Sequence, residues 1–166
     1  MCSLSLKQQY KNENDYGTSK YIFGMLTDFV DKTKVIYEPF YLDGKAKNYL
    51  NELGYDNVIH NNEDFFENYD KYDYDLIITN PPYTIKKRIF KKLYEINKPF
   101  IVIVPISTIT KLFIKEIFKT DIERLQMIIP NRRMQFEKNG NQLKRCYFDC
   151  VFLCYKMNLK SDIVYL

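Results

Sequence analysis

Tryptophan is absent and histidine occurs once, as His60. A structural zinc centre usually takes four Cys or His ligands. A lone histidine therefore leaves any metal reading to the four cysteines. Cys146, Cys150 and Cys154 recur every fourth residue, so on a strand they share one face. That pattern fits either thiolate ligands or three small hydrophobes in a core, and we read it as core. No metal is expected. Glycine and proline are sparse, at 5 and 6 residues, which argues against a linker-rich or disordered chain.

Other absences narrow the class further. No apolar run approaches the ~18 residues of a membrane span. The opening MCSLSLKQQYKNENDYG has no apolar core of the signal-peptide kind, so an intracellular, reducing location is expected. There is no internal repeat, low-complexity tract or composition break. Residues 1–166 read as one domain, with 1–15 polar and expected to be flexible.

The charge is unevenly placed. Residues 1–83 carry 8 basic and 14 acidic side chains, whereas residues 84–145 carry 15 and 5. One half is thus suited to a cationic or neutral ligand and the other to a polyanion.

Periodicity predicts alternating elements. Helices are expected over Lys20–Asp31 (capped by Thr18 or Ser19), Lys45–Leu53 (closed by Gly54), Ile85–Ile96, and from Ser107 or Thr108 to Lys119. Strands are expected at Lys34–Tyr37, Asn57–His60, Leu76–Thr79, Phe100–Val104, Leu125–Ile129 and Tyr147–Tyr155. Asn139-Gly140 reads as a turn. The alternation implies an α/β domain with a mostly parallel sheet. No helix separates the last two strands, so they are expected to pair antiparallel at one edge. Ligands of such sheets sit at the carboxyl ends of the strands.

Two of those ends carry chemistry. Asn80-Pro81-Pro82-Tyr83 follows an apolar strand. Paired prolines force the chain out of the sheet in an extended form. The carbonyls of Asn80 and Pro81 and the Asn80 side-chain oxygen then form a group of acceptors beside an aromatic ring. Such a group can accept both hydrogens of an exocyclic amine and make its nitrogen more nucleophilic, while Tyr83 stacks on the attached ring. Glu38-Pro39-Phe40 ends the first strand, and Asp43-Gly44 opens the next helix. A carboxylate there suits an ammonium or ribose hydroxyls, and Gly44 permits close backbone approach. Asp64-Phe65 can hold an adenine amine and its ring. A plain turn, a helix cap and an acidic loop are the alternative readings of these three motifs.

Together these residues resemble the S-adenosylmethionine-dependent amino-methyltransferases, and within them the N6-adenine group. NPPY matches that family's catalytic motif in full, and EPFYLDGK resembles its cofactor motif with the glycines reduced to Gly44. YGTSKYIF resembles the segment lining the methionine side, with Ser19 in place of a proline, and RRMQFEK resembles the motif that closes over the target base. The resemblance spans about residues 16–157 and implies a Rossmann-like methyltransferase fold with S-adenosylmethionine as cofactor. By it, Asn80, Pro81, Pro82 and Tyr83 form the catalytic set. Tyr16, Thr18, Glu38, Phe40, Gly44, Asp64 and Phe65 hold the cofactor, bordered by Asn80, with Asn62 or Glu63 at the ribose. The stretch from Glu38 to Asn80 is short, so one helix–strand unit is expected to be shrunken or missing. No segment is long enough for a separate recognition domain. Target recognition is therefore expected from a second copy or a partner subunit.

The substrate expected is nucleic acid, DNA rather than RNA. Lys86, Lys87, Arg88, Lys91 and Lys92 crowd a helix start, where cations oppose the helix dipole and a phosphate backbone would relieve them. Arg132, Arg133 and Phe136 extend this proposed footprint. A protein-glutamine methyltransferase and a non-catalytic nucleic-acid-binding relative are the alternatives.

Overall fold

Three uninterrupted apolar segments organise the sheet: β4 (Leu76–Thr79), β5 (Phe100–Pro105) and β9 (Cys150–Tyr155), every residue of which is buried. A strand covered on both faces has no polar side to alternate with, which explains the continuous runs. The computed structural model describes residues 16–138, 141–143 and 148–166. The expectations for residues 1–15, the Asn139-Gly140 turn, Cys146 and Tyr147 lie outside the described residues.

Around these three strands run β2 (Ile36–Tyr37), β3 (Val58–Ile59), β6 (Leu125–Ile129) and β10 (Ile163–Tyr165). They form a seven-stranded sheet of order β10-β6-β9-β5-β4-β2-β3. Six strands run parallel, and β9 is antiparallel to both β5 and β6. A compact, mostly parallel α/β sheet is therefore present, as the alternation implied.

The edge differs from expectation. The antiparallel strand β9 lies inside the sheet, between β5 and β6, and not at its margin. The margin is β10, which runs parallel to β6 with Ile163 opposite Met127. Three residues give too short a pattern to read. The chain also turns back to reach that edge through Lys156 and Asn158, both at positive φ.

The helices are α1 (Lys20–Gly24), α2 (Lys45–Glu52), α3 (Phe65–Asn68), α4 (Lys86–Ile96) and α5 (Leu112–Phe118). Alternation along β5 sends Ile101 and Ile103 into one core with Ile22, Phe23 and Leu50, below α1 and α2. Phe100, Val102 and Val104 enter the other core with Phe90, Leu93, Ile114 and Phe118, below α4 and α5. Each such side chain contributes about 1.5–3 kcal/mol by leaving water.

Two expected caps are corrected. The Ser19 hydroxyl donates to the Gln135 carbonyl at 3.0 Å and makes no cap bond, and α1 gives way to turns after Gly24. Ser107 and Thr108 sit in a 3-10 turn, so α5 starts later, behind Lys111. Gly54 does close α2, with φ 92° and its N–H bonded to Asn51.

The shortened unit is visible. After edge strand β3 only the four-residue α3 intervenes before β4 pairs on the far side of β2. A separate small sheet joins β1 (Gly17–Thr18), β7 (Phe136–Lys138) and β8 (Asn141–Gln142). Thr18 faces Phe136 there, which ties the early segment to the late basic motif. No helix among the described residues is long and apolar enough to cross a membrane.

Candidate active site

The ends of β2 and β4 open into one cleft. Tyr16, Thr18, Glu38, Phe40, Asn62, Asp64, Phe65, Asn80, Pro81, Pro82 and Tyr83 all line it. Motifs separated by up to 67 positions in sequence thus share one cavity because β2 and β4 are hydrogen-bonded neighbours.

Glu38 is 3% exposed. Its Oε1 accepts from the Thr79 hydroxyl at 2.6 Å and from the Phe40 N–H at 3.0 Å. The Asn80 N–H also supports this carboxyl. Burial nevertheless dominates and pushes its pKa up to about 8. The group is therefore a carboxyl held near its own charging point, and a cation beside it would drive it to the ionised form.

Asn80 is wired to the opposite wall. Its Nδ2 donates to the Tyr16 carbonyl at 2.9 Å, while its Oδ1 is buried without a hydrogen-bond partner among the described residues. Asp64 shows the same asymmetry. Its Oδ1 accepts from the Phe66 N–H at 2.8 Å, and its Oδ2 is buried and unpartnered among the described residues. Buried acceptors are normally satisfied. Two buried acceptors without a partner among the described residues thus belong to residues that line one cleft. Phe40 and Phe65 also line the cleft, with ring centres 5.4 Å apart and planes tilted by 56°.

Gly44 does not line the cleft. It is the left-handed residue before α2, with φ 80°. A Cβ there would lie 2.6 Å from the Tyr41 hydroxyl. The close approach it permits is that of the Tyr41 side chain, and Tyr41 in turn lines the cleft and stacks on His60. Sequence reasoning missed Tyr41, Leu42 and Phe66 as lining residues. Tyr41 and Phe66 directly follow residues it had selected, so adjacency was an available signal. Leu42 has φ 45°, which no leucine announces. Of the two residues expected at the ribose, both line the cleft; Asn62 is exposed, whereas Glu63 already accepts from Lys71 and from the Tyr72 hydroxyl.

The basic residues are placed differently from expectation. The pairing of β7 with β1 turns Phe136 inward, where it is 1% exposed behind Tyr16; it cannot stack on a base from there. The Arg88 guanidinium lies 3.7 Å from the centre of the Phe66 ring, and Lys92 lies over Tyr69. Their position at a helix start is thus compensated inside the protein, which weakens the inference from the dipole alone. Lys87 reaches Glu116 at 3.9 Å, and Arg133 binds Asp149 through two nitrogens. Arg132 is exposed. Lys86 is half-buried, its Nζ 6.0 Å from the Tyr83 ring, with its pKa lowered by burial and by Lys111. Of the six residues assigned to the substrate, none lines the cleft itself. Cys150 and Cys154 are buried, and no metal-holding cluster occurs among the described residues.

Comparison with protein families identifies the chain as a methyltransferase. The model of the Eco57I restriction-modification methylase matches residues 2–150, and the chain belongs to that family. No curated protein matches it.

Proposed function

We propose that this chain methylates the N6 amine of adenine in DNA, with S-adenosylmethionine as donor, on a Rossmann-like methyltransferase fold. The observation that carries the reading is Asn80 Oδ1, buried with no partner among the described residues, on a residue that lines an acid- and aromatic-lined cleft. The donor set fits the cofactor. Phe40 and Phe65 offer ring contacts, Asp64 Oδ2 an acceptor for an exocyclic amine, Asn62 a ribose contact, and Glu38 a carboxylate for the cationic end. Tyr16 and Thr18 close the methionine side. When bound, S-adenosylmethionine supplies an electrophilic methyl group on a sulfonium.

The chain's own residues prepare the nucleophile. Asn80 Oδ1 and the Pro81 carbonyl accept the two hydrogens of the adenine amine, so electron density returns to its nitrogen. Tyr83 stacks on the base. Pro81 and Pro82 keep this segment extended, and both are buried. The proton leaves the nitrogen to water after transfer, and no metal is required.

Family membership supports DNA over RNA. The surplus of basic side chains after Tyr83 supports nucleic acid over a glutamine peptide. A second copy or a partner subunit supplies target recognition, and the protein works inside the cell. The test is mass spectrometry of nucleosides after incubation with mixed DNA and RNA and isotope-labelled S-adenosylmethionine. Labelled N6-methyladenine from DNA is the expected product. Label only in RNA, only in protein, or nowhere overturns the reading.

A further inference from the structure

Tyr83, the last NPPY residue of the cleft lining, touches the start of β9. The Tyr83 hydroxyl and the Cys150 thiol are 3.7 Å apart. Cys150 starts β9, opposite Pro105 at the end of β5. One step further, the Ile106 N–H donates to the Asp149 carbonyl at 2.8 Å. Ile106 and Phe148, which precedes Asp149, are each 47% exposed. Two exposed large apolar side chains thus sit on the adjoining segments that lead out of β5 and into β9, next to the Cys150 that Tyr83 contacts.

Cations lie near these segments. Lys86 lies beside the Tyr83 ring and close enough to Lys111 for the two to repel. Arg133 is held against Asp149, the acid between Phe148 and Cys150, and Arg132 is exposed next to it. Exposed apolar groups with cations nearby leave room for a partner that offers apolar faces and negative charge together. They suit a stacked, polyanionic partner, whose base faces are apolar and whose margins are phosphates.

We propose that Ile106 and Phe148 form an apolar plug that enters a DNA duplex and fills the gap left when the target adenine turns out beside Tyr83, with Lys86 and Lys111 on the flanking phosphates. A base inside a duplex cannot reach Asn80, and turning it out costs a few kcal/mol of lost stacking and pairing. A plug offsets part of that cost by restoring apolar contact to the neighbouring base pair. Separated strands need no such help. The plug therefore acts on duplex substrate alone, which separates it from a role in folding or in cofactor binding. It rests on the adenine reading above.

The test is methyl transfer to one genomic DNA preparation, native and after strand separation, by the full chain. Ile106→Ala combined with Phe148→Ala is expected to lower the rate on native DNA by about tenfold or more while the rate on separated strands stays within about twofold. Tyr165→Ala, on a still more exposed aromatic of the far edge strand, is expected to leave the ratio of the two rates unchanged. Lys86→Gln with Lys111→Gln is expected to reduce the salt dependence of duplex binding by about two units of slope. An active wild type whose plug variant keeps its native-to-separated ratio overturns the plug alone; a protein partner at these segments would give that result. A wild type that methylates neither form overturns the adenine reading and the plug together.

Discussion

Asn80 donates its side-chain amide to the backbone carbonyl of Tyr16, 64 positions earlier in the chain. A carbonyl can only accept, so this bond fixes which end of the amide is nitrogen. The oxygen is left to the other side, where it has no partner among the described residues. The orientation of the proposed amine acceptor is thus set by a contact outside its own motif.

Asn80→Ala is expected to lower kcat by about 10²–10³-fold, the usual loss for a preorganised polar group at a reacting centre. Asn80→Asp keeps the size but replaces the donor with a second oxygen facing the Tyr16 carbonyl, and it is expected to be as inactive. Single-turnover methyl transfer checks both, and circular dichroism verifies that the variants fold.

Glu38 links the cleft to pH. Its folded pKa of about 8 lies above its ordinary value of 4.5, so the folded state binds the extra proton. The stability this confers is full below about 4.5 and is lost as pH rises through about 8. Glu38→Gln is expected to gain thermal stability on the wild type at pH 8 relative to pH 5. A cation seated beside Glu38 lowers its pKa, so binding of S-adenosylmethionine between pH 5 and about 8 releases up to one proton. Calorimetry in buffers of different ionisation enthalpy reads that release directly, and equal heats in all of them would remove Glu38 from the cationic end.

Arg88 is expected to act on the cofactor side. Its guanidinium covers the Phe66 ring, and Phe66 lines the cleft. Arg88→Ala loses about 0.5–1 kcal/mol of cation–π contact at this exposed position. It is predicted to raise KM for S-adenosylmethionine several-fold while the salt dependence of DNA binding stays as in wild type. A changed salt slope would return Arg88 to the DNA footprint.

Gly44→Ala tests the support of Tyr41. The position has φ 80° and a Cβ would lie 2.6 Å from the Tyr41 hydroxyl. Backbone strain alone costs about 1 kcal/mol or more at a left-handed site. Urea denaturation is expected to show that loss, and cofactor affinity falls as the Tyr41 ring is displaced.

The elements set by local pattern were legible in the sequence. Leu76–Thr79 and Leu125–Ile129 are strands over the residues that their apolar runs define, and α4 follows its stripe of Ile89 and Leu93. The placement of NPPY at a strand end was equally readable, because paired prolines admit few conformations. What escaped depends on distant pairing. Phe136 looks like an exposed aromatic among charges until Thr18 pairs with it and turns it inward. The stacking of Arg88 on Phe66 likewise depends on α3 bringing that ring beneath it. The inner position of β9 also cannot be read locally, since either neighbour satisfies the same apolar run.

That inner position has a consequence for dissection of the gene. The family match stops at residue 150, where β9 begins. A fragment cut there would lack the strand that pairs with all six residues of β5 and four of β6. It would carry two raw sheet margins and lose Phe152 and Tyr155 from opposite cores. The sixteen residues beyond the recognisable family segment are keystone rather than tail, and an expression boundary drawn by homology alone would yield inclusion bodies.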